Sequence, residues 1–146
     1  MSKIREEIAI DAPVDEVFAF FDDVASAEVL VPGLVAVTKV EELQGGGRRV
    51  EYTTQNRRGE PVEATSEHLE HDPPRHTVTR GVQSGIETTS TREFVETTNG
   101  TTRVIATVEW AVPVKWVAGV VTAPLRGPLR RSLRTSLAAA KSAIER

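Results

Sequence analysis

Hydrophobic and polar positions alternate with a period of two along most of the chain up to residue 112, and beyond it the period lengthens to that of a helix. The alternation predicts strands over residues 3–10, 34–43, 48–56, 61–70, 75–82, 85–96 and 101–112. Between the later strands stand Gly45-Gly46-Gly47, Arg57-Arg58-Gly59, Asp72-Pro73-Pro74, Gln83-Ser84-Gly85 and Asn99-Gly100, all turn chemistry. Connections this short make antiparallel neighbours, so strands two to seven should form a meander. The first strand runs instead into Asp11-Ala12-Pro13. A proline at a first helical position, with Asp15 and Glu16 against the positive end of the helix dipole, starts a helix whose apolar face is Val14, Val17, Phe18 and Phe21. Asp22 or Asp23 can cap a second short helix through about Leu30, which Pro32-Gly33 ends.

The alternation also sorts faces. Arg49, Glu51, Thr53 and Gln55 oppose Val50, Tyr52, Thr54 and Asn56, and Glu63, Thr65 and Glu67 oppose Val62, Ala64, Ser66 and His68. In the last hairpin a two-residue turn at Asn99-Gly100 would set Glu93 beside Ala106 and Thr89 beside Trp110, mixing polar and apolar sets. One extra loop residue instead pairs Phe94 with Val104, Arg92 with Ala106, Ser90 with Val108 and Thr88 with Trp110. The second register is preferred, because a slip of one residue inverts every side chain. The inward face then carries Ser90 and Arg92, and the same parity on neighbouring strands adds Tyr52, His68, His76 and Arg80. Burying so many polar groups without partners costs a few kcal/mol each, on the order of the whole stability of a domain. A cavity open to water or ligand tolerates them.

In the last third, Val117, Val120 and Val121 share a helical face with Leu125, with Trp116 at its start. Pro124, Gly127 and Pro128 then predict a kink or break between about 122 and 128. From Pro128 the helix restarts, with Leu129, Leu133, Leu137, Ala140 and Ile144 in one stripe and Arg130, Arg131, Arg134, Lys141 and Glu145 on the adjoining face. The segment 128–146 would run about 28 Å, enough to cross a sheet of six or seven strands diagonally. Its arginine face reads as a solvated back, and the kinked segment before it as a gate or wall of the cavity.

Composition narrows the choices. A chain of 146 residues buries roughly 70% of its unfolded surface and reads as a single domain over residues 1–146. Without cysteine there is neither a disulfide framework nor a thiolate site. No apolar run follows the charges of the N-terminus and none approaches the ~20 residues that span a bilayer, so a cytoplasmic protein is expected. The net charge of −3 divides into +6 from Pro113 onward and −9 before it. His68, His71 and His76 match neither HxH nor HExxH spacing, and on a regular strand His68 and His71 point to opposite faces, so no metal is expected. Gly45-Gly46-Gly47 lacks the following helix of a phosphate loop, no nucleophile elbow occurs, and no cofactor is called for. An acidic sheet without stacking aromatics argues against nucleic acid.

The segments Ile8-Ala9-Ile10-Asp11-Ala12-Pro13-Val14-Asp15-Glu16-Val17-Phe18, His71-Asp72-Pro73-Pro74-Arg75 and Gly100-Thr101-Thr102-Arg103-Val104, in this element order, resemble the START-related helix-grip superfamily, which includes polyketide cyclase/dehydrase-like and birch-pollen-allergen-like proteins. The chain departs from many of them at Ala27 to Pro32, where an aromatic residue commonly precedes the proline. The resemblance implies an α+β helix-grip fold: a curved antiparallel sheet of six to seven strands wrapped around a long C-terminal helix, with two short helices after the first strand. It also implies a hydrophobic small-molecule partner, a lipid, quinone or polyketide. Fold alone does not fix function. The favoured reading is a non-catalytic binding protein, with Val108, Trp110, Trp116, Val117, Val120 and Val121 as apolar wall and Tyr52, His68, Arg80 or Arg92 orienting a polar end. The alternative is a cyclase/aromatase-type enzyme catalysing aldol closure or dehydration. A membrane-facing lipid or quinone carrier using the Arg126 to Arg134 face is a third.

Overall fold

The computed structural model describes residues 2–111 and 126–146. Seven strands form one antiparallel sheet: β1 (Ser2–Ile10), β2 (Leu34–Glu42), β3 (Arg48–Gln55), β4 (Pro61–Asp72), β5 (His76–Gln83), β6 (Ile86–Glu96) and β7 (Thr102–Trp110), in the order β1-β7-β6-β5-β4-β3-β2. The meander expected from the turns is present, and β1 joins it beside β7, so the first and second strands of the chain are the two edges. The crossing between them is made by α1 (Val14–Asp22), a 3-10 turn (Val24–Ser26) and α2 (Ala27–Leu30). Pro13 precedes α1, and Asp15 and Glu16 occupy its first turn as expected. Of the two candidate caps the chain uses Asp23, whose Oδ1 accepts from the Ala25 N–H at 2.9 Å. Gly33, at φ 73°, turns the chain into β2; a Cβ there would stand 2.8 Å from the carbonyl oxygen of Gln55, so only glycine fits.

The last hairpin adopts the register that the polar and apolar sets favoured: Phe94 faces Val104, Arg92 faces Ala106, Ser90 faces Val108 and Thr88 faces Trp110. Elsewhere one parity differs. The β5–β6 turn is tight, with Gln83 opposite Ile86, so odd-numbered β5 residues share a face with even-numbered β6 residues: Thr77 with Arg92, Thr79 with Ser90, Gly81 with Thr88. Arg80 and His76, expected inward, therefore point outward. Arg80 pairs there with Glu87 at 2.8 Å, and His76 lies 3.3 Å from Glu70 and 3.6 Å from Asp72.

The C-terminal helix, α3, spans Arg126–Ile144. Pro128 lies in the first turn of this described span without breaking it, because the first N–H groups of a helix have no intrahelical acceptor. The rest of the expected kink, together with Trp116, Val117, Val120 and Val121, lies outside the described residues. Of the apolar stripe, Leu137 and Ala140 are buried with Ile10, Val17, Phe18, Phe21, Phe94, Val104 and Ala106, and Leu133 and Ile144 pack against that cluster.

The direction of α3 corrects the sequence reading. Arg126 Nη1 donates to the Lys3 carbonyl, Arg130 and Arg134 bind the Glu6 carboxylate at 3.1 and 2.5 Å, Lys141 Nζ donates to the Ala9 carbonyl, and Glu145 accepts from the Asp11 N–H. At about 1.5 Å per helical residue and about 3.3 Å per strand residue, Arg126 to Lys141 and Lys3 to Ala9 cover nearly the same length, about 20 Å. Helix and edge strand thus run alongside one another, and no diagonal crossing occurs over this span. The arginine face therefore clasps β1 through Arg126, Arg130 and Arg134 while Arg126, Arg131 and Arg134 stay exposed to solvent. Three of the arginines suggested for a membrane surface are thereby occupied, and no described helix is long and apolar enough to cross a membrane.

Candidate functional site

Among the described residues, the core cluster fills the concave face over β1, β7 and the end of β6 but not over β3, β4 and β5. There a cavity of about 260 Å³ opens between the sheet and the α1–α2 connection. Phe21, Val24, Ala27, Leu30 and Val31 line it from the helical side, joined by Val37 and Val50 from β2 and β3. The sheet lines it with hydroxyls: Ser66 on β4, Thr79 on β5, Thr88 and Ser90 on β6, and Tyr52 on β3. Alternation places them. Val50, Ser66, Gly81 and Thr88 follow one another across four strands, and His68, Thr79 and Ser90 form the next row.

Of the residues expected at a site, Tyr52, His68 and Arg92 meet on this cavity. Arg80 does not, because of the β5 parity. Trp110, buried at 3% exposure, and Val108 stay on the inward face, but neither is part of this cavity's lining; the Arg126 guanidinium lies 5.9 Å over the Trp110 ring. Tyr52 is largely enclosed, which raises its pKa and keeps the hydroxyl protonated, and among the described residues that hydroxyl makes no hydrogen bond.

His68 is held by a device that the strand pattern does not reveal. His68 pairs with Thr79 but Glu70 pairs with Val78, so Leu69 is an extra residue, a β-bulge, and its side chain is exposed. The bulge shifts the parity, so His71 falls on the same face as His68 and their ring centroids are 5.0 Å apart, contrary to the opposite faces of a regular strand. His71 Nε2 lies 2.9 Å from Asp22 Oδ1, and Arg48 reaches both the carboxylate and the carbonyl oxygen of Asp22. The Arg48 backbone N–H donates to His68 Nδ1 at 3.0 Å. With Nδ1 accepting, the neutral ring carries its proton on Nε2. Burial first, then His71, and less strongly Arg48 and Arg92, lower the His68 pKa, while Asp22 opposes them, so the neutral form prevails. Gly47 makes room for the ring: a Cβ there would stand 2.8 Å from His68 Cβ. Among the described residues no group of three metal-binding side chains converges.

Among the described residues two cations line the hollow, Arg48, engaged by Asp22, and Arg92. The Arg92 guanidinium lies 5.0 Å over the Phe21 ring, and among the described residues no carboxylate comes within ion-pair distance of it. Burial lowers its pKa, since taking a charge from water disfavours the charged form. Asp22 and Arg48 were missed by sequence reasoning because their pairing joins α1 to β3, 26 residues apart, with no local signature.

Residues 1–145 match the family described as polyketide cyclase/dehydrase and lipid transport. Among solved structures, the chain is similar to the Zhui aromatase/cyclase from Streptomyces sp. R1128, at 22% identity over 99% of this chain and 94% of that one, with a TM-score of 0.79. It is also similar to TTHA0849 from Thermus thermophilus, at 16% identity over 98% and 97%, TM-score 0.78. A third is Ara h 8.0201, at 13% identity over 98% and 97%, TM-score 0.75. Identities this low speak for the fold alone. No functionally curated protein matches significantly. The family match spans nearly the whole chain, and the chain belongs to that family.

Proposed function

We propose that this member of the polyketide cyclase/dehydrase and lipid transport family holds a hydrophobic or amphipathic small molecule in the cavity over β3–β6. The observation that carries the reading is the make-up of the lining: apolar side chains from Phe21 to Val31, Val37 and Val50, together with hydroxyls, Tyr52, His68 and Arg92, while Asp22, Asp23 and Arg48 engage protein partners. A ligand with an apolar body and an oxygen-bearing edge satisfies both. At about 260 Å³ the space falls below the usual range of roughly 300–1,000 Å³ for small-molecule sites, which favours a compact ligand over a two-chain lipid.

The second reading, a cyclase-type enzyme, draws support from the fixed tautomer of His68. Neutral His68 with its proton on Nε2 suits a hydrogen-bond donor or acid, and Arg92 and Tyr52 suit a developing enolate oxygen. Aldol closure also needs a base. Asp22 is engaged by His71 and Arg48 and Asp23 caps the 3-10 turn, so both carboxylates of the described cavity lining already have protein partners. Binding without turnover is therefore preferred.

Native mass spectrometry of freshly purified protein, followed by extraction, tests the proposal. A co-purifying small molecule, or uptake of a compound from a hydrophobic panel, is expected. No uptake from a broad panel contradicts it, and turnover of a poly-β-keto analogue that is lost in Arg92→Met or His68→Gln favours the enzyme.

A further inference from the structure

We propose that the cavity selects a compact apolar carboxylate, with Arg92 as the residue that receives the carboxylate; this rests on the cavity being a binding site. Among the described residues four charged side chains line the cavity, and three are committed. Asp22 is divided between His71 at 2.9 Å and Arg48 at 3.7 Å, and Asp23 Oδ1 accepts from the Ala25 N–H. Among the described residues, Arg92 alone of the four has no such partner. The sheet does place a carboxylate in its row, because Arg92 faces Ala106 and Ala106 faces Glu6, but Glu6 is taken by Arg130 and Arg134.

An enclosed cation without a counter-ion is costly, and a chain selected for stability alone would place an apolar residue in that row, as it does at Ala106. The guanidinium lies over the Phe21 ring, a contact that uses no N–H, and the N–H fork has no acceptor among the described residues. A planar fork matches the two oxygens of a carboxylate, and enclosure strengthens that pair relative to water. Thr79 and Ser90, in the adjoining row, are placed to meet further ligand oxygens, and the apolar wall from Phe21 to Val31 takes the hydrocarbon body. A neutral quinone or alcohol would leave the Arg92 charge uncompensated.

The test compares 2-naphthoate with 2-naphthamide, nearly identical in shape and differing in charge, by titration calorimetry at about pH 7 and roughly physiological salt. The acid is expected to bind about ten- to a hundredfold more tightly than the amide, and Arg92→Met is expected to abolish that preference. Equal affinity of the two compounds for the wild-type protein overturns the inference without any variant being needed. So does a preference that survives in a folded Arg92→Met, since another cation would then be responsible. Binding of neither compound, nor of any member of the hydrophobic panel, is the separate failure of the cavity reading. Binding of panel compounds but not of 2-naphthoate overturns the carboxylate assignment alone.

Discussion

Over β1, β7 and the end of β6 the concave face of the sheet is packed solid by α1 and α3, whereas over β3, β4 and β5 the same face carries Tyr52, Ser66, His68 and Thr79 around a hollow. Arginines mark the same contrast, apart from Arg48, which lines the hollow but is engaged by Asp22. At the filled end Arg126, Arg130 and Arg134 each find an acceptor on β1. In the hollow Arg92 finds only the face of Phe21 among the described residues. One sheet thus supports two regimes: where side chains are complementary the gain is stability, and where they are left unsatisfied the structure keeps room and polarity for something else.

The contrast can be broken or sharpened by mutation. Phe18, 4% exposed, touches Phe94 at the filled end and also His71 on β4. Phe18→Ala should cost about 3–5 kcal/mol in denaturant unfolding, while Thr79→Ala in the hollow should change stability by less than about 1 kcal/mol. Comparable losses at the two positions would mean that the hollow is ordinary core. Next in size, Glu6→Gln removes the shared partner of Arg130 and Arg134, both of which keep contact with solvent, and should cost about 1 kcal/mol. No loss would mean that the clasp on β1 holds nothing. The smallest effect concerns pH. Enclosure holds His68 in the folded protein below its ordinary value of 6.5, so on acidification the unfolded chain takes up the proton first. Its contribution is fully present above the unfolded pKa and is lost progressively as pH falls below it. The melting temperature of His68→Gln should therefore fall less between about pH 7 and pH 5 than that of the wild type; an identical slope would show that His68 is not enclosed.

What could be read from sequence follows from range. Strand boundaries and the register of the last hairpin depend on alternation and turn chemistry, and the observed elements lie within a residue or two of the expected ones. Arg80 and His76 were misplaced because one residue in the β5–β6 turn decides the parity of a whole strand. His71 was misplaced because the bulge at Leu69 follows no composition rule. The β1 clasp had a signal: Ile4, Glu6, Ile8 and Ile10 share a face, and one carboxylate in an otherwise isoleucine row calls for a cationic partner from the element above it. Asp22 with Arg48, and the setting of Arg92 against Phe21, come from elements distant in sequence and emerge only in three dimensions.

The most direct measurement is an amide chemical-shift map of the ¹⁵N-labelled protein titrated with 2-naphthoate. The largest shifts are expected at Tyr52, Ser66, Thr79, Ser90 and Arg92 around the hollow, with Ile4, Ile10, Val104 and Ala140 at the filled end unmoved. Shifts centred on the filled end or on the outward residues Arg80 and Glu87 would contradict a binding cavity over β3–β6.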